Sequence, residues 1–277
     1  MHEQMPAYTV YIGKTGAFYM KKAIYILILS VISLSVIGFK NYSNKEVEAS
    51  KVESSYINDY EDLIIKCGNT NEKIVALTFD DGPDEVFTPQ ILDILKKYNI
   101  KATFYVIGEK VQYNKKIIKR EYEEGHEIGN HTYTHINVSK NSYNKIKKEI
   151  KDTQSAVKSV TGTYPKTFRP PYRAISKDMC EIIKSNNMNI VLWSYVDARD
   201  WSSPGVSSII KTIENGVQNG CIILLHDYNK IRNPKSQTIE ALDKIIPDLL
   251  EKGYKFVTIS ELIEHLEKNT NNENNIK

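Results

Sequence analysis

Between Ile74 and Lys268, short and continuously apolar runs alternate with longer stretches whose apolar residues recur every three or four positions. The first kind fits strands buried on both faces, and the second fits helices with one buried stripe. Ile74–Phe79 is the first such strand. Thr88-Pro89 then offers an N-cap and a first-turn proline for a helix that buries Ile91, Leu92, Leu95 and Tyr98. Ala102–Ile107 reads as the next strand, followed by a helix that Asn114 opens, Ile117, Ile118 and Tyr122 anchor, and Gly125 stops. The same pattern predicts strands at Glu127–Asn130, Phe168–Pro170, Ile190–Tyr195, Cys221–His226 and Lys255–Ile259. Helices are expected at Ser142–Val160, Ser176–Asn187, Val206–Glu214 and Ile239–Lys252. About seven strands alternating with helices make an α/β fold with a parallel sheet, either open and doubly wound or closed into a barrel. Periodicity does not choose between them.

The flanks break the pattern. Lys21 and Lys22 precede an uncharged apolar run, Ala23–Phe39, with the polarity and size of the hydrophobic segment of a secretory signal. A membrane span needs ~20 apolar residues, with ~17–25 tolerated, so residues 20–39 are a signal peptide or, if uncleaved, a membrane anchor with the domain outside. Residues 1–19 lack that logic and form a leader of doubtful standing, because a start at Met20 would place the lysines directly before the run. Residues 40–72, rich in Ser, Asn, Glu and Lys, read as a linker or stalk, and residues 268–277, rich in Asn, as a disordered tail. The folded domain is expected over residues 73–267, extracellular and monomeric.

Composition narrows the classes. With 277 residues, 41% hydrophobic and 26% charged, the chain is neither a disordered polymer nor a polytopic membrane protein. Lys+Arg 37 against Asp+Glu 34 gives +3, too balanced for a surface that tracks phosphates, so nucleic acid is not an expected partner. Cys67, Cys180 and Cys221 are too scattered for a disulfide framework or a thiolate zinc site.

The residues able to do chemistry gather where strand patterns end. Asp80-Asp81-Gly82-Pro83 follows the first strand, His131-Thr132-Tyr133-Thr134-His135 the third, and Arg169-Pro170-Pro171-Tyr172 sits at the fourth. Asp197-Ala198-Arg199-Asp200-Trp201 follows the fifth, and Leu224-Leu225-His226-Asp227 ends the sixth. Each cluster alone has a plain structural explanation: Asp-Gly-Pro is a common turn, an arginine pairs with a carboxylate, a tryptophan fills a core. Ligands of α/β folds bind at the carboxyl ends of parallel strands, so five clusters placed there imply one shared mouth. Thr132 stands where a zinc protease of the His-Glu-x-x-His type needs its glutamate, which excludes that class.

Thr78-Phe79-Asp80-Asp81-Gly82-Pro83, His131-Thr132-x-x-His135, Arg169-Pro170-Pro171-Tyr172, Asp200-Trp201 and Leu224-x-His226 together resemble the five ordered motifs of the polysaccharide deacetylase family, the NodB-homology domain of carbohydrate esterase family 4. The resemblance covers about residues 73–266. It implies a distorted (β/α) barrel, and hydrolysis of N-acetyl groups from GlcNAc-containing polymers, with acetylated xylan as the substrate of some members. Asp81, His131 and His135 would then be the ligands of a divalent metal, Zn²⁺ foremost with Co²⁺ as substitute. Asp80 matches the general base, Arg169 the residue that holds it, and His226 the general acid, with Asp200 favouring its charged form. The backbone N–H of Tyr172 matches an oxyanion donor, and Trp201 and Leu224 match the walls around the acetyl methyl. Arg173 departs from the pattern, which has glycine after the tyrosine in many members.

The partner implied is an N-acetylated polysaccharide: peptidoglycan foremost, with chitin oligosaccharide, biofilm glucosamine polymer and acetylxylan as alternatives. A non-catalytic carbohydrate-binding protein would show a broken ligand or base position. A glycosidase would need two carboxyls ~5–9.5 Å apart across a sugar and would have no use for the two histidines. His126 and His265 read as structural or surface residues, the cysteines as inert, and the lysines of the helix from Ser142 as a solvated face. Tyr133, Tyr195 and Tyr228 are candidates to stack on sugar rings.

Overall fold

The computed structural model describes residues 58–68, 70–194, 196–229 and 236–274. The leader, the segment 20–39, most of the expected linker and Tyr195 lie outside the described residues. Among the described residues no helix is long and apolar enough to cross a membrane. The folded unit begins at Asp59.

Eight strands make one parallel sheet: β1 (Ile64–Ile65), β2 (Ile74–Asp80), β3 (Thr103–Val106), β4 (Glu127–Asn130), β5 (Thr167–Phe168), β6 (Asn189–Val191), β7 (Cys221–His226) and β8 (Lys255–Val257). Their order is β1-β6-β5-β4-β3-β2-β7, with β8 also paired to β2. The helices are α1 (Phe87–Lys97), α2 (Gly108–Tyr113), α3 (Lys115–Glu123), α4 (Tyr143–Thr161), α5 (Lys177–Ser185), α6 (Val206–Gly216), α7 (Gln237–Glu251) and α8 (Ile259–Asn274). The sheet curls far enough for its ends to meet. Beyond β6, Ser194 donates its N–H to the Ile222 carbonyl at 3.1 Å, and Asp197 bridges Leu224 on β7. These few bonds settle the barrel alternative, and their irregularity is why β6 ends at Val191 rather than running on to Tyr195 as expected.

Strand β2 is buried along its whole length, as its continuous apolar run requires. Val75, Leu77 and Phe79 face the helices, packing with Phe87, Ile91, Leu95, Ile223 and Leu242. Ile74 and Ala76 face inward with Tyr105, Val191 and Ile222, and Ile259 and Leu262 of α8 close that end of the barrel. At ~25 cal/mol per Å² of apolar surface, such burial is the main stabilising term.

Three boundaries differ from the sequence reading. Ile64–Ile65, inside the stretch expected to be linker, pairs with Ile190–Val191, so the fold starts before Lys73. Gly68 donates to the Gly220 carbonyl at 2.6 Å, and a Cβ on Gly220, whose φ is 74°, would lie 1.9 Å from the Gly68 oxygen; only glycine allows that stitch. Helix α8 continues to Asn274, into the expected disordered tail. In α3 the stripe is rotated: Tyr122 is 44% exposed, and Glu121 is buried in its place. Helix α1 begins at Phe87 with no side-chain N-cap; Asp84 Oδ1 instead accepts the N–H groups of Val86 and Phe87.

Candidate active site

The register of the sheet brings the motifs together. Asp80, the last residue of β2, lies level with Tyr105 on β3 and His226 on β7. Arg169 follows β5 and donates its N–H to the carbonyl of Asn130, the residue before His131. Tyr172 and Asp200 lie in short 3₁₀ turns just past strand ends. Five clusters distant in sequence thereby share the carboxyl-terminal mouth of the barrel.

Adjacent Asp80 and Asp81 do different things because the chain turns between them: Asp81 has φ 75°, outside strand geometry. Asp80 is buried, and its Oδ1 accepts from Arg169 Nη1 at 2.7 Å. The Arg169 guanidinium is 0% exposed, also donates to Thr78 Oγ1 at 2.7 Å and to the carbonyls of Val191 and Leu192, and lies over the Tyr105 ring at 4.1 Å. A buried cation so fully bonded is a fixed clamp.

Asp81 faces the histidines. Its Oδ1 lies 3.1 Å from His135 Nε2 and 3.5 Å from His131 Nε2, and the three candidate ligand atoms fall within 4.8 Å of one another. Despite that proximity, Asp81 Oδ1 is buried with no hydrogen-bond partner. His131 Nδ1 lies 2.7 Å from the Arg169 carbonyl, an acceptor only, which fixes the proton on Nδ1 and leaves the Nε2 lone pair free. His135 Nδ1 meets the Tyr172 hydroxyl at 3.1 Å. One carboxylate and two imidazoles with an orphaned oxygen among them fit a divalent ion of the zinc or cobalt kind.

Opposite stands His226, whose Nδ1 lies 2.7 Å from Asp200 Oδ1. Asp200 is buried, and its Oδ2 also accepts the His226 N–H at 2.8 Å and the Thr238 hydroxyl at 2.7 Å. Burial would lower the His226 pKa, but the charge and hydrogen bond of Asp200, aided by Asp80 and Asp81, push it up to about 9. Leu224 is buried, while Trp201 is 55% exposed with Arg199 over its ring at 5.4 Å. Tyr172, 65% exposed, has φ 60°, which turns its backbone out of extended geometry.

Several supports were not legible in the sequence. Glu149, on the supposedly solvated face of α4, accepts the N–H groups of Tyr133 and Thr134 and is held by Lys145 at 2.6 Å. Asn130 Oδ1 accepts the Thr132 N–H, and its amide donates to the Ile150 carbonyl. Together they set the loop that aims both histidines, with Thr132 at φ 64° and His135 at φ 56°. Asp227 is wholly buried; its Oδ2 accepts from Thr88 at 2.6 Å, and a Cβ on Gly82 would lie 2.0 Å from that oxygen. Burial pushes its carboxyl up to about 7, against the Thr88 hydrogen bond and Lys110. The signals were a glycine after two aspartates and an acid after the histidine, both absorbed into turn chemistry. Cys180 and Cys221 are buried and free, and Cys67 is exposed and free. Tyr228 lies beneath Lys110 Nζ at 3.2 Å.

The polysaccharide deacetylase family profile matches residues 67–191. A peptidoglycan-N-acetylglucosamine deacetylase of Bacillus cereus is 44% identical over 196 residues, covering 70% of this chain and 90% of that protein. A crystal structure of a peptidoglycan N-acetylglucosamine deacetylase superposes with TM-score 0.70 at 38% identity, covering 75% of this chain and 95% of that one. The family 4 acetyl xylan esterase of Clostridium thermocellum, solved with a cobalt ion, superposes with TM-score 0.63 at 43% identity, covering 69% and 91%. Fold, motif order and relatives agree, and the chain belongs to the polysaccharide deacetylase family, carbohydrate esterase family 4.

Proposed function

We propose that this protein is an exported, metal-dependent deacetylase that hydrolyses N-acetyl groups of GlcNAc-containing polymers, peptidoglycan foremost. The observation that carries the reading is the division of labour around one point: an orphaned Asp81 oxygen beside the Nε2 atoms of His131 and His135, a clamped carboxylate in Asp80, and a charged imidazole in His226. Asp81, His131 and His135 would hold a divalent ion, Zn²⁺ or Co²⁺, which when bound would supply an acidified water and polarise the amide carbonyl.

Asp80 takes the proton of the attacking water. Arg169 holds its Oδ1, which leaves Oδ2, 3.8 Å from His131 Nε2, turned toward the ligand set. The Tyr172 N–H stabilises the oxyanion of the tetrahedral adduct. His226 then gives a proton from Nε2 to the departing amine while Asp200 keeps Nδ1 bonded. Leu224 and Trp201 enclose the acetyl methyl, and the exposure of Trp201 leaves that wall accessible to substrate. Export, as a secreted or anchored protein with the domain outside the cell, is supported by Lys21-Lys22 before the apolar run Ala23–Phe39.

The test is acetate release from peptidoglycan, chitin oligomers and acetylxylan side by side, before and after prolonged chelation. Release that chelation abolishes and Zn²⁺ or Co²⁺ restores is the expected result. Full release by rigorously metal-free protein would overturn the metal, and no release from any substrate would favour a non-catalytic glycan binder.

A further inference from the structure

At the end of the barrel away from the mouth, residues 66–68 pass beside the start of β7. Gly68 donates its N–H to the Gly220 carbonyl at 2.6 Å. Ser194 Oγ donates to the Lys66 carbonyl at 3.3 Å and accepts the Ile222 N–H at 2.9 Å. One rung therefore joins residue 68 to 220, and the next, through an inserted hydroxyl, joins 66 to 222. The two segments run in opposite directions, and Cys67 stands opposite Cys221 between the rungs. In a regular antiparallel pair, residues at that position have Cα atoms ~4.5 Å apart. The inserted hydroxyl adds to the separation, and a disulfide accepts ~4.4–6.8 Å.

Both cysteines lie on the outer side of the sheet. Along β7, Ile222 faces inward with Ile74 and Leu262, whereas Cys221 and Ile223 pack with the helices. A Cβ on Gly68 would lie 2.9 Å from Leu262, so Gly68 marks the inner side, and the exposed Cys67 lies on the outer one. The turn that covers Cys221 is itself at the surface: its Sγ accepts the Gln218 N–H at 3.3 Å, and Gln218 is exposed. Cys180 is different. It sits in α5 with no exposed surface, and burial pushes its thiol up to about 11.

We propose that Cys67 and Cys221 form a disulfide that clasps the segment entering the domain to the start of β7. The clasp is separate from the deacetylase site and independent of that reading. Its oxidant is a small-molecule disulfide. The Cys67 thiolate attacks one sulfur of that molecule and a first small thiol leaves; the Cys221 thiolate then attacks the Cys67 sulfur of the mixed disulfide and releases the second. Two protein thiols become one S–S bond, one small disulfide is reduced to two thiols, and the two protons pass to them. Because the bond closes a loop from residue 67 to residue 221, it restricts the unfolded chain over most of the domain and stabilises the fold.

The experiment incubates the full chain, native or with Cys67→Ser or Cys180→Ala, with oxidised glutathione, and reads intact mass, free thiols after unfolding, the peptide map and the thermal midpoint. The native chain should lose the mass of two hydrogen atoms and keep one of its three thiols, with the peptides of Cys67 and Cys221 joined. Its midpoint should rise by roughly 5–10 °C over the reduced form, and dithiothreitol should reverse the rise. Cys180→Ala should keep the bond and the shift, and Cys67→Ser, a change at an exposed position, should show neither. Three free thiols, a glutathione adduct that stays on Cys67, a bond to Cys180 or a bond between two chains would overturn the pairing. A Cys67–Cys221 bond that leaves the midpoint unchanged would overturn the clasp.

Discussion

At one end of the barrel interior, Ile74 and Ala76 of β2 meet Ile222, Ile259 and Leu262, all buried and apolar. At the other end the same strand turns Thr78 and Asp80 inward to a buried guanidinium, and the loops beyond carry left-handed residues at Asp81, Thr132, His135, Tyr172 and Arg199. The first end is relaxed and closed by a helix. The second concentrates charge, orphaned oxygen and backbone strain, each of which costs stability. Burial around β2 supplies the stability that lets the mouth hold an arrangement the polypeptide would not adopt by itself, so the two ends should respond to substitution in opposite ways.

The largest expected effect is at the mouth. His226→Ala removes the acid without touching a metal ligand, and turnover should fall by roughly 10²–10⁴ with metal content nearly unchanged. Asp200→Asn tests the same contact through pH. The native imidazolium persists to about pH 9, so activity should decline as pH rises through that value, and the variant's alkaline limb should move to lower pH. By linkage, the raised His226 pKa contributes stability below its unfolded value of ~6.5 that is lost as pH climbs through the folded one.

At the closed end, Leu262→Ala should cost about 2–5 kcal/mol in denaturant unfolding while acetate release per folded molecule holds. A loss of turnover without loss of stability there would erase the distinction between the two ends. The smallest effect concerns Glu121, buried with neither carboxyl oxygen bonded, whose pKa burial and then Asp227 raise well above the ordinary value. A carboxyl shifted upward destabilises the fold as pH rises from ~4.5 toward its raised value, so Glu121→Gln should gain stability in denaturant unfolding at pH 8 and none at pH 4. Asp227 and Glu127, shifted the same way, and His226, whose stabilisation is lost toward pH 9, account for slope left in the variant.

What the sequence disclosed came from rarity and period. Asp-Asp-Gly-Pro, His-x-x-x-His and Arg-Pro-Pro-Tyr are uncommon, and each fell at the end of a run whose period marked a strand, so the mouth could be placed before any coordinates. All seven expected strands are present. Ile64–Ile65 escaped because two residues have no period, and barrel closure, which rests on single bonds such as Ser194 to Ile222, was implied by the resemblance and not by the period. The supporting residues were hidden for another reason. Glu149 looks like one more charge on a lysine-rich helix, and only its distance to the Tyr133 and Thr134 amides gives it a task. Tyr172 was expected to act through its backbone N–H; its hydroxyl contact with His135 depends on a left-handed turn that no local pattern announces.

The claim on which the account stands is that the neighbouring carboxylates divide into a base and a ligand, and metal content measured together with acetate release on Asp80→Asn and Asp81→Asn tests it. Asp80→Asn keeps all three ligands and should retain its metal while turnover drops by roughly 10²–10⁴; Asp81→Asn loses the anionic ligand and should lose metal and activity together. If Asp80→Asn sheds its metal while Asp81→Asn keeps it, the roles are reversed, and if both variants keep metal and activity, the site lies elsewhere.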